Sequence, residues 1–176
     1  GIIPGGDRGS PGRNNPPCPE TAPAYCRDAI DVTDGGLFGW DLALSQGGLL
    51  SDHAYLGDCD SPGVRDPYTI GLGSPDAVFK FDAAFDQRWS IDLRATNPQA
   101  DLAMYVWAEA CPRFSAEACA DDSPRPGGGV DRSHAEINHV FAGGNTYFIV
   151  VDGATERDGN QNPQPFTLEV VPGARR

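Results

Sequence analysis

The twelve residues from Ala142 to Gly153, AGGNTYFIVVDG, join a turn signal to an unbroken run of strand-forming side chains. Gly143, Gly144 and Asn145 accept the positive φ of a tight turn at little steric cost. Thr146 to Val151 are then all β-branched or aromatic, which is the composition of a strand. Because this run is apolar on both of its pleat faces, it reads as a central strand buried on both sides. Asp152-Gly153 is a second turn signal and is expected to close it.

The segments on either side repeat the theme. Trp89, Ile91, Leu93 and Ala95 alternate with Arg88, Ser90, Asp92 and Arg94, a strict period of two that puts one face in a core and the other in water. Val78 to Phe81 places Phe79 and Phe81 on one side and Lys80 on the other. Leu102 to Trp107 is apolar on both faces and belongs beside the opening strand. Ala29 to Thr33, Leu37 to Leu44, Ala135 to Phe141 and Phe166 to Val171 complete a set of about eight strands. Residues 51 to 75 are turn-rich and read as a surface excursion. The one helical candidate is a turn near Ser115 to Ala118. Short strands at this spacing predict an all-β chain, an antiparallel jelly-roll-like β-sandwich.

The chain has 176 residues, enough for one well-buried core and few for two. Its net charge of −12 and pI near 4.4 argue against nucleic acid or an anionic membrane surface as partners. Acidity makes divalent cations natural company. Aliphatic runs are too short to insert in a membrane, and no stretch has the basic start and apolar core of a signal peptide.

Five cysteines beside a single lysine in a Gly- and Pro-rich acidic chain point to an oxidising compartment. No C-x-x-C occurs and no histidine stands at ligand spacing from a cysteine, so disulfides are a better reading than zinc or haem. Cys111 with Cys119 would close a short loop between strands. Of the other three, Cys26 with Cys59 leaves Cys18 over, whereas Cys18 with Cys26 leaves Cys59 over. The odd cysteine is a loose thiol or bonds to another chain.

Residues 1–25 are rich in glycine, proline and arginine and poor in apolar side chains. Such an arm cannot bury enough surface to offset its own ordering entropy, so it gains order only by lying against a folded surface, its own or a neighbour's. Ile2 and Ile3 at its start, with Cys18, are its candidate assembly contacts. The expected organisation is an arm over 1–25, a sandwich over 26–171 and a tail over 172–176.

The succession of Ser74 to Phe81, Asp101 to Val106, Cys111 to Asp122, Gly144 to Gly153 and Phe166 to Val170 resembles the bacterial pre-peptidase C-terminal domain. It is most similar to the cysteine-containing versions in secreted proteins of myxobacteria and their relatives. The resemblance covers roughly Cys26 to Val171. It implies a jelly-roll sandwich, export and a non-catalytic role. Family members are appended to extracellular peptidases and other surface proteins, where some bind insoluble polymers such as collagen and some bind calcium. The sequence departs from this pattern in its Gly/Pro arm, and no catalytic domain accompanies it.

Catalytic signatures are weak. Neither G-x-S-x-G nor H-E-x-x-H occurs, His53 lies in the turn-rich excursion, and the spacing of His134 and His139 puts them on opposite faces of one strand. Acidic residues are scattered too widely to single out a glycosidase pair. The chain is expected not to be an enzyme. For calcium, Asp121, Asp122 and Asp152 lead a group that includes Asp131, Asp158 and Asn160, all in loops or at strand ends, although no D-x-D-x-D-G loop is present. Solvated turn formers are the plainer reading of the same residues. Trp40, near Phe38 and Tyr55, is the one aromatic that could stack on a sugar, with core or loop packing the plainer reading of it, while Trp89 and Trp107 belong to the core.

Two functions follow as expectations. One is an extracellular structural or adhesive protein, a surface or filament subunit, assembling with copies of itself through the arm by strand addition to a neighbour's sheet edge. The other is an accessory module that attaches a secreted peptidase to an insoluble polymer, protein or polysaccharide.

Overall fold

The computed structural model describes residues 27–41, 76–109, 116–120, 123–124, 127–153 and 165–173. Every element named among them is a strand: β1 (Ile30–Asp31), β2 (Gly36–Asp41), β3 (Asp76–Asp82), β4 (Gln87–Ala95), β5 (Leu102–Ala108), β6 (Ala118–Ala120), β7 (Ser123–Pro124), β8 (Val130–Asp131), β9 (His134–Phe141), β10 (Thr146–Gly153) and β11 (Pro165–Pro172). They form two main sheets, β1-β3-β10-β5-β6 and β2-β11-β4-β9, with a small β7-β8 ribbon. Pairing is antiparallel throughout except between β1 and β3, which run parallel. The chain crosses between the two main sheets at each connection from β1 to β5 and again from β9 to β11, the habit of a jelly-roll sandwich.

Each of the longer expected strands is present with its ends moved by a residue or two, except that the expected strand Leu37 to Leu44 is described only as far as Asp41, its last three residues lying outside the described ones. The expected break at Asp152-Gly153 is a difference: β10 continues through both residues, because Asp152 pairs with Asp76 on one side and Ala103 on the other. Ala118, expected within a helical turn, opens β6 and pairs with Val106.

The inner faces of the two sheets meet in one apolar core. Phe79, Phe81, Tyr147, Ile149 and Val151 come from the first sheet and Trp89, Ile91, Leu93, Phe141, Phe166 and Leu168 from the second. At one end Phe81 sits among the rings of Trp89, Phe141 and Tyr147, with centroids at 4.2, 5.2 and 5.2 Å. Nearer the other end Phe79 stands 6.2 Å from Phe166 and 6.3 Å from Phe38. These contacts join the sheets, and each fully buried side chain of this size contributes about 1.5–3 kcal/mol of apolar transfer.

The unbroken apolar runs have a second explanation besides this core. Val78, Tyr105, Trp107, Phe148 and Val150 point to the opposite side of the first sheet and form a smaller buried cluster with Ala29, against which Ala116 and Cys119 pack. β5 and β10 are therefore buried on both faces. β4, by contrast, alternates buried and more exposed residues along its nine positions. Its outward face carries the polar site described below.

The turn of the deciding stretch locks two crossings together. Gly144 has φ of +93°, and its N–H donates to the Ala83 carbonyl at 2.8 Å while Ala83 N–H donates to Asn145 at 3.0 Å. Gly143 lies so close to the preceding crossing that a Cβ there would stand 2.3 Å from Phe85 Cα. Its N–H donates to Asp86 Oδ1 at 2.7 Å. The β3–β4 and β9–β10 connections thus clasp each other at one end of the sandwich.

Candidate functional site

The outer face of the β2-β11-β4-β9 sheet is where its polar side chains collect. Register places Glu169, Asp92 and Glu136 side by side across β11, β4 and β9, with Thr167, Arg94 and His134 in the adjacent row. Like charges directly opposite one another destabilise a sheet, so this row needs cations beside it. Arg94 supplies one, its Nε 2.7 Å from Asp92 Oδ1 and its Nη2 donating to Oδ2 at 3.0 Å. His134 approaches from β9, its Nε2 2.8 Å from the same Oδ2. Glu136 Oε1 accepts from Asn138 Nδ2 at 2.7 Å. Ligand atoms of Asp92, His134 and Glu136 all lie within 4.8 Å of one another.

This cluster was not foreseen as a site. Its members alternate with core residues and read as a solvated face. The contact between Asp92 and His134 spans 42 positions, and its only signal in sequence would have been the β4–β9 register.

His134 and Ser133 do not form a nucleophile and base. The Ser133 hydroxyl donates to Asp131 Oδ1 at 2.7 Å, and the Ser133 N–H donates to the same oxygen at 3.2 Å. That is the local turn chemistry of an Asx motif leading into β9. His139 lies on the inward parity of β9, packed at 4.7 Å against the Phe141 ring, so the two histidines do occupy opposite faces.

Of the expected calcium ligands, Asp152 is fully buried on the outer side of the first sheet, in register with Asp76. It belongs to the strand ladder, between Asp76 and Ala103. Asp121 and Asp122 lie outside the described residues, as do Asp158 and Asn160. The Asp131 carboxylate is engaged by Ser133. Among the cysteines, Cys119 is described, and it packs under the smaller cluster. Cys18, Cys26, Cys59 and Cys111 are outside the described residues, as are Ile2 and Ile3. Trp40 is 38% exposed on β2. Trp89 and Trp107 are buried as expected.

The acidity of Tyr147 departs clearly from the ordinary. Burial raises its pKa above the usual 10.0, partly offset by hydrogen bonds with Asn145 and with the Ala142 carbonyl. Its hydroxyl donates to that carbonyl at 3.1 Å. The group is a structural tie of the β9–β10 turn.

No helix of the described residues is long and apolar enough to cross a membrane. No family model matches the chain, and neither does any curated protein sequence compared with it. Among solved structures, the 1.0 Å crystal structure of the pre-peptidase C-terminal domain of collagenase from Bacillus anthracis is similar, with a TM-score of 0.50 and 14% sequence identity. The likeness covers 82% of this chain and 95% of that domain. Two sheets, the order of their strands and this likeness together show that the chain has the fold of a pre-peptidase C-terminal domain.

Proposed function

We propose that the chain is a non-catalytic, exported β-sandwich module that holds a larger secreted protein, a peptidase foremost, on an insoluble extracellular polymer. The observation that carries this reading is the likeness in fold to a domain that is itself part of a collagenase. Fold alone does not specify function, so the surface must also suit the task. The outer face of the β2-β11-β4-β9 sheet offers exposed Leu37, Val140 and Val171 among the polar groups of Arg94, Glu136 and Glu169. A broad surface mixing apolar and hydrogen-bonding groups suits a repetitive polymer better than a small substrate. Five cysteines beside a single lysine support an oxidising, extracellular setting. Pairing of Cys111 with Cys119, and of Cys26 with Cys59, is part of this proposal.

Calcium at Asp121, Asp122 and Asp152 is a further part of it, since carboxylate oxygens suit that ion. The reading in which the arm of residues 1–25 joins copies of the chain rests on Ile2, Ile3 and Cys18, and no contact among the described residues favours it over the accessory role. The test is retention of the full chain on insoluble protein fibres and polysaccharide particles, with calcium and with chelator. Retention on at least one polymer is expected; passage through all of them overturns the proposal, and indifference to chelator removes calcium from it.

A further inference from the structure

Asp92, His134 and Glu136 differ from the scattered acidic residues of this surface in combining an imidazole nitrogen with two carboxylates on adjacent, well-paired strands. Asp92 and Glu136 face each other directly in the β4–β9 register, and His134 is the next outward residue of β9. Asp92 and His134 are each about four-fifths covered, with side-chain exposures of 19% and 18%, while Glu136 is exposed. We propose that these three side chains bind a late first-row divalent metal ion, zinc above all, on the outer face of the sheet.

Three features of the geometry lead there. First, the candidate ligand atoms lie within 4.8 Å of one another, and donors on one zinc ion sit at about 2.0–2.2 Å from it. Closing the remaining gap takes a rotation of the exposed Glu136 side chain away from Asn138 and a small opening of the His134–Asp92 pair. Second, the ion would stand where His134 Nε2 and Asp92 Oδ2 now share a hydrogen at 2.8 Å. Arg94 would keep its Nε bond to Oδ1 and give up its Nη2 bond to Oδ2, so that it still holds the carboxylate in place, the role that outer-shell donors have at metal sites. Third, the row Glu169–Asp92–Glu136 sets like charges in register, an arrangement that a cation relieves.

The donor set also selects the ion. One imidazole and two carboxylates suit zinc or copper, whereas calcium prefers an all-oxygen shell of six or more ligands. Three protein ligands leave a position for water or for a donor from a bound polymer. This inference stands apart from the calcium proposal, whose one described residue, Asp152, lies on the other main sheet.

Titration of the full chain with zinc alone, followed by calorimetry and by melting temperature, tests it. The parent is expected to show one saturable site and a zinc-dependent rise in Tm, as any ligand of the native state produces. His134→Gln and Glu136→Gln, both on the outer face and checked for native circular dichroism, are expected to weaken binding by at least about 10-fold and to lose that rise. Excess calcium should leave the zinc isotherm unchanged. Absence of saturable zinc binding, or equal affinity in the parent and both variants, overturns the site.

Discussion

Gly143 shows how strongly one position can depend on having no side chain. A Cβ there would meet Phe85 Cα at 2.3 Å and Phe85 C at 2.5 Å, both backbone atoms that cannot rotate away. Gly143→Ala must therefore separate the two clasped crossings or distort them. The expected cost is about 1–3 kcal/mol, a fall of several degrees in Tm for a chain of this size. An unchanged melting temperature would mean that the crossings do not touch as described.

Tyr147 gives a prediction in pH. Because burial raises its pKa in the folded state above the ordinary 10.0, the unfolded chain loses this proton first as pH climbs. Folding must then take that proton up from solution, and stability falls as pH rises from about 10 towards the folded value. Below that window the group contributes no pH dependence. Tyr147→Phe is expected to flatten this alkaline limb of a denaturation series relative to the parent, and an unaltered limb would contradict the account.

At the scale of elements, β4 separates the two kinds of face. Leu93 is buried in the core and Arg94, its neighbour, is exposed. Leu93→Ala is expected to cost about 2–5 kcal/mol by removing packed methyl groups, whereas Arg94→Ala, on a solvent-screened pair, should stay within about 1 kcal/mol. Equal effects in chemical denaturation would mean that the alternation does not mark the two faces.

The same strand shows what was legible in the sequence. Period two in Trp89, Ile91 and Leu93 identified the face, and the apolar runs of β5 and β10 identified strands covered on both sides, because burial acts directly on residue type. β6, β7 and β8 were missed: at two or three residues each they are too short to show a period. The Asp92–His134–Glu136 cluster was missed for a different reason. Its residues were visible, but which of them meet depends on strand register, and register is set by pairing between distant segments.

For the whole molecule, the proposed function sets two uses of the sandwich against each other, holding a partner on a polymer or joining copies of itself. The central claim is the first. Co-sedimentation of the full chain with insoluble protein fibres and polysaccharide particles, alongside sedimentation velocity of the chain alone, separates them most directly. The account predicts a species whose size does not change with concentration in solution and which pellets with at least one polymer. Concentration-dependent growth into large assemblies, with no polymer carrying the chain into the pellet, would contradict it.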